Sequence, residues 1–202
     1  MYARIDRVSG RHDHGTGRPG LMAFSRTTPG FLGHITLGQL AGPAEVSLSF
    51  WDSAASASSF PGHQAGAAGR QSGVYEVADA RAGTAVGQTP SYAVMPHFDG
   101  PVLPDLAVAA DRAWRQRLWP AISGMDGLVA AYILRQDDLG IVVVHLGTSL
   151  EALEAAGRAI QATVLLPGED PALLPGPDGI EVHHVTGYHM AALEAPAMTE
   201  GR

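Results

Sequence analysis

The chain has 202 residues, 46% hydrophobic and 16% charged, enough apolar material to bury a core in one large domain or two small ones. A formal charge of -7, with no basic block interleaved with aromatics, excludes nucleic acid as a partner. Cysteine, lysine and asparagine are all absent, which excludes disulfides, thiolate metal sites, cysteine nucleophiles, Schiff-base lysines and any site that needs an asparagine amide.

All 13 basic residues are arginine, and with abundant Ala, Gly and Pro this matches the codon bias of a high-GC bacterial genome. The longest uncharged apolar stretches, such as Gly140 to Gly147, are too short to span a bilayer, and Arg4, Asp6 and Arg7 stand where a signal peptide needs an apolar core. The sequence thus predicts a cytoplasmic protein with no membrane partner.

Tyr2 to Val8 reads as a strand ended by Gly10. Gly15, Gly17, Pro19 and Gly20 then leave at most two helical turns near Leu21 to Arg26. Gly33 to Leu40 and Glu45 to Trp51 alternate as two strands joined through Ala41-Gly42-Pro43-Ala44. Asp52 or Ser53 can cap a helix running to about Phe60, and after a Gly/Ala-rich loop Gly73 to Ala80 is the fourth strand.

Arg81 to Pro90 reads as a linker, and the order then repeats. Tyr92 to Asp99 is a strand, and Leu103 to Trp119 carries Leu106, Ala109, Ala110, Ala113, Trp114 and Leu118 at helical spacing. Leu128 to Leu134 and Gly140 to Leu146 form a hairpin, Thr148 or Ser149 caps a helix from Leu150 to about Leu165, and Ile180 to Val185 is the last strand. The tail after Met190 is expected to be mobile.

Four landmarks support this repetition. Tyr2-Ala3 recurs at Tyr92-Ala93, and Pro29-Gly30-Phe31-Leu32-Gly33 at Ser123-Gly124-Met125-Asp126-Gly127. Phe50-Trp51-Asp52-Ser53 recurs at His145-Leu146-Gly147-Thr148, and Gly73 to Val77 at Gly179 to His183. Each half reads β-α-β-β-α-β, the ferredoxin-like arrangement. The expected fold class is therefore α+β, with one repeat over 1–85, a second over 86–192 and a tail over 193–202. Each four-stranded sheet has one bare face, and two copies can bury these by packing sheet to sheet.

Pro29-Gly30-Phe31-Leu32-Gly33, Ser49-Phe50-Trp51-Asp52-Ser53, Phe60 and His63 resemble the pattern of antibiotic biosynthesis monooxygenase-like domains within the dimeric α+β barrels. The resemblance covers Met1 to Ala80 directly and the rest through the repeat, where Leu146 replaces the Trp. It implies a barrel formed within one chain, as a monomeric pseudo-dimer or a homodimer of such chains. It also implies a small aromatic or polyketide-like ligand and chemistry such as cofactor-independent oxygenation. A binding or accessory protein and a polyketide cyclase or isomerase are the alternatives, since fold alone does not select a function. The haem-degrading branch uses an asparagine with a Trp and a His; Trp51 and His63 match the last two, and the asparagine is missing.

Candidate site residues follow from strand alternation. Trp51 shares a side with Ser47 and Ser49, opposite Val46, Leu48 and Phe50. If the apolar set packs on the helices, Trp51 faces the other sheet, either as a flat wall for an aromatic ligand or as ordinary core. His97 lies two residues from Asp99, which can orient it as a general base or simply cap the following turn; His34 is a second candidate base or a structural histidine. Phe50, Tyr92 and His63 are the further substrate-contact candidates. His145 is expected on the helix-facing side with its imidazole hydrogen-bonded. No cofactor is required, and the nine histidines, scattered over both halves, do not define a metal site.

Overall fold

The computed structural model describes residues 1–8, 28–41, 44–60 and 70–190. The short helix expected near Leu21, His63 and the tail lie outside them. The described residues form eight strands: β1 (Tyr2–Val8), β2 (Phe31–Gln39), β3 (Glu45–Trp51), β4 (Arg70–Ala82), β5 (Tyr92–Asp99), β6 (Leu128–Gln136), β7 (Gly140–Gly147) and β8 (Gly179–Met190). They close into one barrel in the order β1-β3-β2-β8-β5-β7-β6-β4, and every ladder is antiparallel.

Within this ring β4-β1-β3-β2 and β8-β5-β7-β6 each keep the ferredoxin-like strand order. The two groups are joined by β2 to β8 and β4 to β6 hydrogen bonding. The barrel implied by the resemblance is formed, and its two groups are joined edge to edge by hydrogen bonds as well as packed sheet to sheet. Closure pairs the edge strands that sheet packing alone would leave open.

The helices sit outside the barrel. Helix α1 (Ala54–Ser59) follows β3, and α2 (Pro104–Ala113) follows β5. A π-helical turn over Trp114–Leu118 leads into α3 (Trp119–Ile122), and α4 (Leu150–Gln161) follows β7. Ser53 and Ser149 cap α1 and α4 in the same way, each hydroxyl accepting from the amide three residues on, at 3.1 and 3.2 Å.

Gly30 and Gly127 both hold φ of 82°, and their carbonyls accept from Asp52 N and Thr148 N at 2.8 and 2.9 Å. The corresponding residues of the two halves thus stand 97 and 96 apart at these landmarks, rather than the 94 and 95 read from sequence. Tyr2 and Tyr92 keep their match, pairing with Trp51 and Gly147. Their other partners, Glu76 and His184, put the last strands 108 apart instead of 106.

The lumen is filled by Ala3, Ile5, Ile35, Leu37, Val46, Leu48, Phe50, Met95, Tyr132, Leu134, Val144 and Leu146, all almost fully buried. Each such large side chain contributes about 1.5–3 kcal/mol by leaving water. Phe50 packs on Tyr132 with ring centroids 5.0 Å apart. Trp51 instead lies outside the barrel, against Phe60 and Ala57 beneath α1, so the expected faces of β3 are reversed. The polar residues explain the reversal. Ser47 and Ser49 find partners on the outer face, in His34 Nε2 at 2.7 Å and Trp51 Nε1 at 2.9 Å.

Candidate functional site

In the second half the outer face of the barrel and the helix over it leave a cavity of about 410 Å³. Its floor is Ile133, Ile141 and Val143 from β6 and β7, its roof is Leu106, Ala110, Trp114 and Leu118, and Phe98 and Leu173 to Gly176 close its ends. The size and the apolar lining suit a small organic molecule.

Two departures from regular backbone build its polar corner. In β4 the register with β6 shifts between Val77 and Asp79. Simple alternation would send Asp79 into the lumen with Tyr75 and Val77. The bulge turns it outward and returns Ala80 to the lumen cluster. Across the cavity, the helix widens where Trp119 N bonds to the carbonyl of Trp114, five residues back. Pro120 supplies the cause, since in an unbroken α-helix its ring meets the carbonyl four residues back and it has no N–H to donate. The expected single helix from Leu103 to Trp119 is therefore a helix, a π turn and a last short turn. π turns recur at functional sites.

The bulge and the π turn meet in one hydrogen bond. Trp114 Nε1 donates to Asp79 Oδ2 at 2.7 Å, Arg81 Nε donates to the same oxygen at 2.9 Å, and Ala80 N donates to Oδ1 at 3.1 Å. The Asp79 side chain is only 11% exposed. Behind Trp114 the His145 ring stacks at 6.1 Å with 17° between planes. Burial pushes its pKa down to about 4, and its Nε2 has no hydrogen-bond partner among the described residues. His145 thus faces the helices as expected, but without the bond expected for it.

The outer wall is pinned by a buried ion pair. Arg117 Nε meets Glu169 at 2.9 Å and Arg117 Nη1 donates to Thr163 at 2.7 Å, while Glu169 also accepts from Leu166 N at 2.8 Å. This holds the segment leading to Leu173 against the π turn.

No protein-family profile matches the chain, and no curated protein sequence matches it. Solved structures do. An anthrone oxidase-like protein superposes with a TM-score of 0.58 at 15% identity, over 98% of this chain and 96% of that one. A candidate monooxygenase from Fusobacterium nucleatum gives 0.63 at 10% identity over 94% of both chains. A ferredoxin-fold protein from Listeria monocytogenes related to antibiotic biosynthesis monooxygenases gives 0.50 at 11%, over 92% and 95%. The chain has the dimeric α+β barrel fold.

Within this α+β barrel the residues singled out from sequence are dispersed. His34 and Trp51 lie on the outer face of the first half, while Phe50 points into the lumen. Tyr92 lies on the outer face of the second half, 4.8 Å from the His184 ring. His97 lines a separate cavity at one end of the lumen, with Nδ1 3.0 Å from Asp99 Oδ1 as its spacing suggested. None of these five lines the cavity over Asp79. Asp79 had read as an ordinary strand residue and Trp114 as helix core. The available signal was Pro120 inside a helical pattern, one residue after Trp119 and six after Trp114. No helix among the described residues is long and apolar enough to cross a membrane, and no group of three or more His, Asp or Glu among them is arranged to hold a metal ion.

Proposed function

We propose that the cavity over Asp79 binds a planar aromatic, polyketide-like molecule and that the protein oxygenates it with molecular oxygen and no bound cofactor. The observation that carries this reading is a buried carboxylate at the edge of an apolar cavity walled by Trp114 and Phe98. Asp79 takes a proton from an acidified C–H or O–H of the substrate, and Trp114 and Arg81 hold the carboxylate in place. The electron-rich anion reacts with oxygen in a site sheltered from water. For a ring methylene the step balances: two C–H bonds supply four electrons, one oxygen atom remains as a carbonyl, and the other leaves as water. The anthrone oxidase-like and monooxygenase-related neighbours favour this class.

The same reading takes the chain as two fused ferredoxin-like units, 1–85 and 86–192, followed by a tail, in a cytoplasmic bacterial protein. Matching glycine turns, caps and strand registers support the two equivalent units. One molecule then forms a whole barrel, and the units have diverged so that the site is lopsided: β4 of the first unit supplies Asp79 and Arg81, and the second unit supplies Trp114 and most of the apolar wall.

A second reading is ligand binding without turnover. It is favoured by the three hydrogen bonds that Asp79 already accepts, which suit a structural carboxylate. Oxygen uptake by metal-free protein with an anthrone, alongside product analysis under air and under nitrogen, separates the readings. Uptake with quinone product supports oxygenation. Saturable binding with no product under either gas supports the binding role, and conversion under nitrogen identifies a cyclase or isomerase.

A further inference from the structure

We propose that the polar end of the barrel lumen is a second ligand site, for a small organic cation of the alkylammonium type. The lumen is apolar over most of its length, but at the end bearing the β6–β7 turn it opens into a cavity of about 710 Å³. Arg7, Tyr75, His97, Asp99, Asp138 and Glu181 line it. Arg7 on β1 reaches Glu181 on β8 at 3.5 Å, although these strands are not neighbours in the ring. The pair therefore crosses the lumen.

Among the described residues three carboxylates face one guanidinium, and that guanidinium is engaged by Glu181 and by the Tyr75 hydroxyl. An anion entering this mouth meets like charge. A cation meets carboxylates and an aromatic ring, the two surfaces that bind ammonium groups. Hydrogen bonding from His183 and the Arg7 charge hold the Glu181 carboxyl below its ordinary value, so it is ionised at neutral pH. Further into the lumen, on the same face of β8, His183 is 1% exposed; its Nε2 lies 3.2 Å from Glu181, and its Nδ1 has no partner among the described residues. His183 is not itself among the described residues that line the cavity; it reaches the cavity through Glu181. The cavity is far larger than an inorganic ion, and the described residues hold no arrangement of three metal ligands. Among the described residues it shares only Asp99 and Gly100 with the cavity over Asp79, so this inference does not rest on the proposed oxygenation.

The test is calorimetric titration of the full chain with 1,4-diaminobutane, tetramethylammonium and acetate, with NMR of the His97 and His183 ring signals. The expected result is saturable binding of the ammonium probes, moving both histidines, with no binding of acetate. Glu181→Gln should weaken that binding about ten- to hundredfold, the worth of one charge-assisted contact. Asp138→Asn, on an exposed turn where the fold does not depend on it, should weaken it about two- to fivefold. Ala110→Trp, which fills the other cavity, should leave it unchanged. Absence of saturable ammonium binding, equal affinity in Glu181→Gln and the parent, or a preference for acetate overturns the proposal.

Discussion

The hydrogen bond between Trp114 and Asp79 joins the bulge of β4 to the π turn, and removing it has a calculable effect. Trp114→Phe keeps an aromatic ring in place and deletes the indole N–H that donates at 2.7 Å. Bonds to a charged group contribute about 1.5–3 kcal/mol. Solvent screening takes little from that, because Trp114 is 4% exposed and the Asp79 side chain 11%. The smaller ring also loses packing, by about 1 kcal/mol or more. A double-mutant cycle with Asp79→Ala separates the two contributions. Urea unfolding of the parent, both single variants and the double variant should give a coupling of about 1.5–3 kcal/mol. In melting temperature each kcal/mol corresponds to about 2–4 °C for a chain of this size. Effects that add to within about 0.5 kcal/mol would show that bulge and π turn are not energetically joined.

His145→Phe should raise stability at pH 7 by about 1 kcal/mol, because it removes an unpartnered ring nitrogen and keeps the stack on Trp114. It should also remove a pH dependence. With the native pKa pushed down to about 4, the unfolded chain takes the proton first, so stability present above about pH 6.5 is lost as pH falls toward 4, by about 3 kcal/mol in total. Urea midpoints at pH 7 and 4.5 check this, and an equal acid loss in the variant sinks it. Arg117→Met leaves Glu169, 2% exposed, without its charge partner, and should destabilise by about 3–5 kcal/mol while amide exchange rises over Leu166 to Leu174. Unchanged exchange there would mean that the ion pair does not hold the wall. Gly30→Ala and Gly127→Ala both force a side chain into φ of 82° against the residues that open α1 and α4, so each should lose at least about 1 kcal/mol in urea unfolding. A large loss in only one would count against equivalent turns.

The sequence showed the ladder of elements well where local chemistry decides. The bounds of β3 follow its alternation, and Ser53 and Ser149 cap helices because each is followed by amides in reach of its hydroxyl. It did not show which face of a strand looks inward. Val46, Leu48 and Phe50 satisfy either face equally, and the partners of Ser47, on the neighbouring strand, and of Ser49, on its own strand, settle it. The barrel itself came only through the family resemblance; the β2–β8 and β4–β6 pairing that closes it was not legible, since it joins residues far apart in the chain. The cavity over Asp79 was hidden for another reason. It is made by one extra residue in β4 and a wide turn after Ala113, both of which break the periodicity that reveals strands and helices. Pro120 marks the second irregularity; nothing in the residues around Ala78 marks the first.

The central claim is that the cavity between the barrel and its second-half helix holds the aromatic ligand. A crystal structure of the protein with 1,8-dihydroxyanthraquinone tests it most directly. The account predicts the ring system between Trp114 and the face formed by Ile133 and Val143, with a hydroxyl about 2.6–3.2 Å from Asp79. Density against Trp51 on the outer face of the first half, density at the polar mouth near Arg7, or no bound ring at saturating concentration would contradict it.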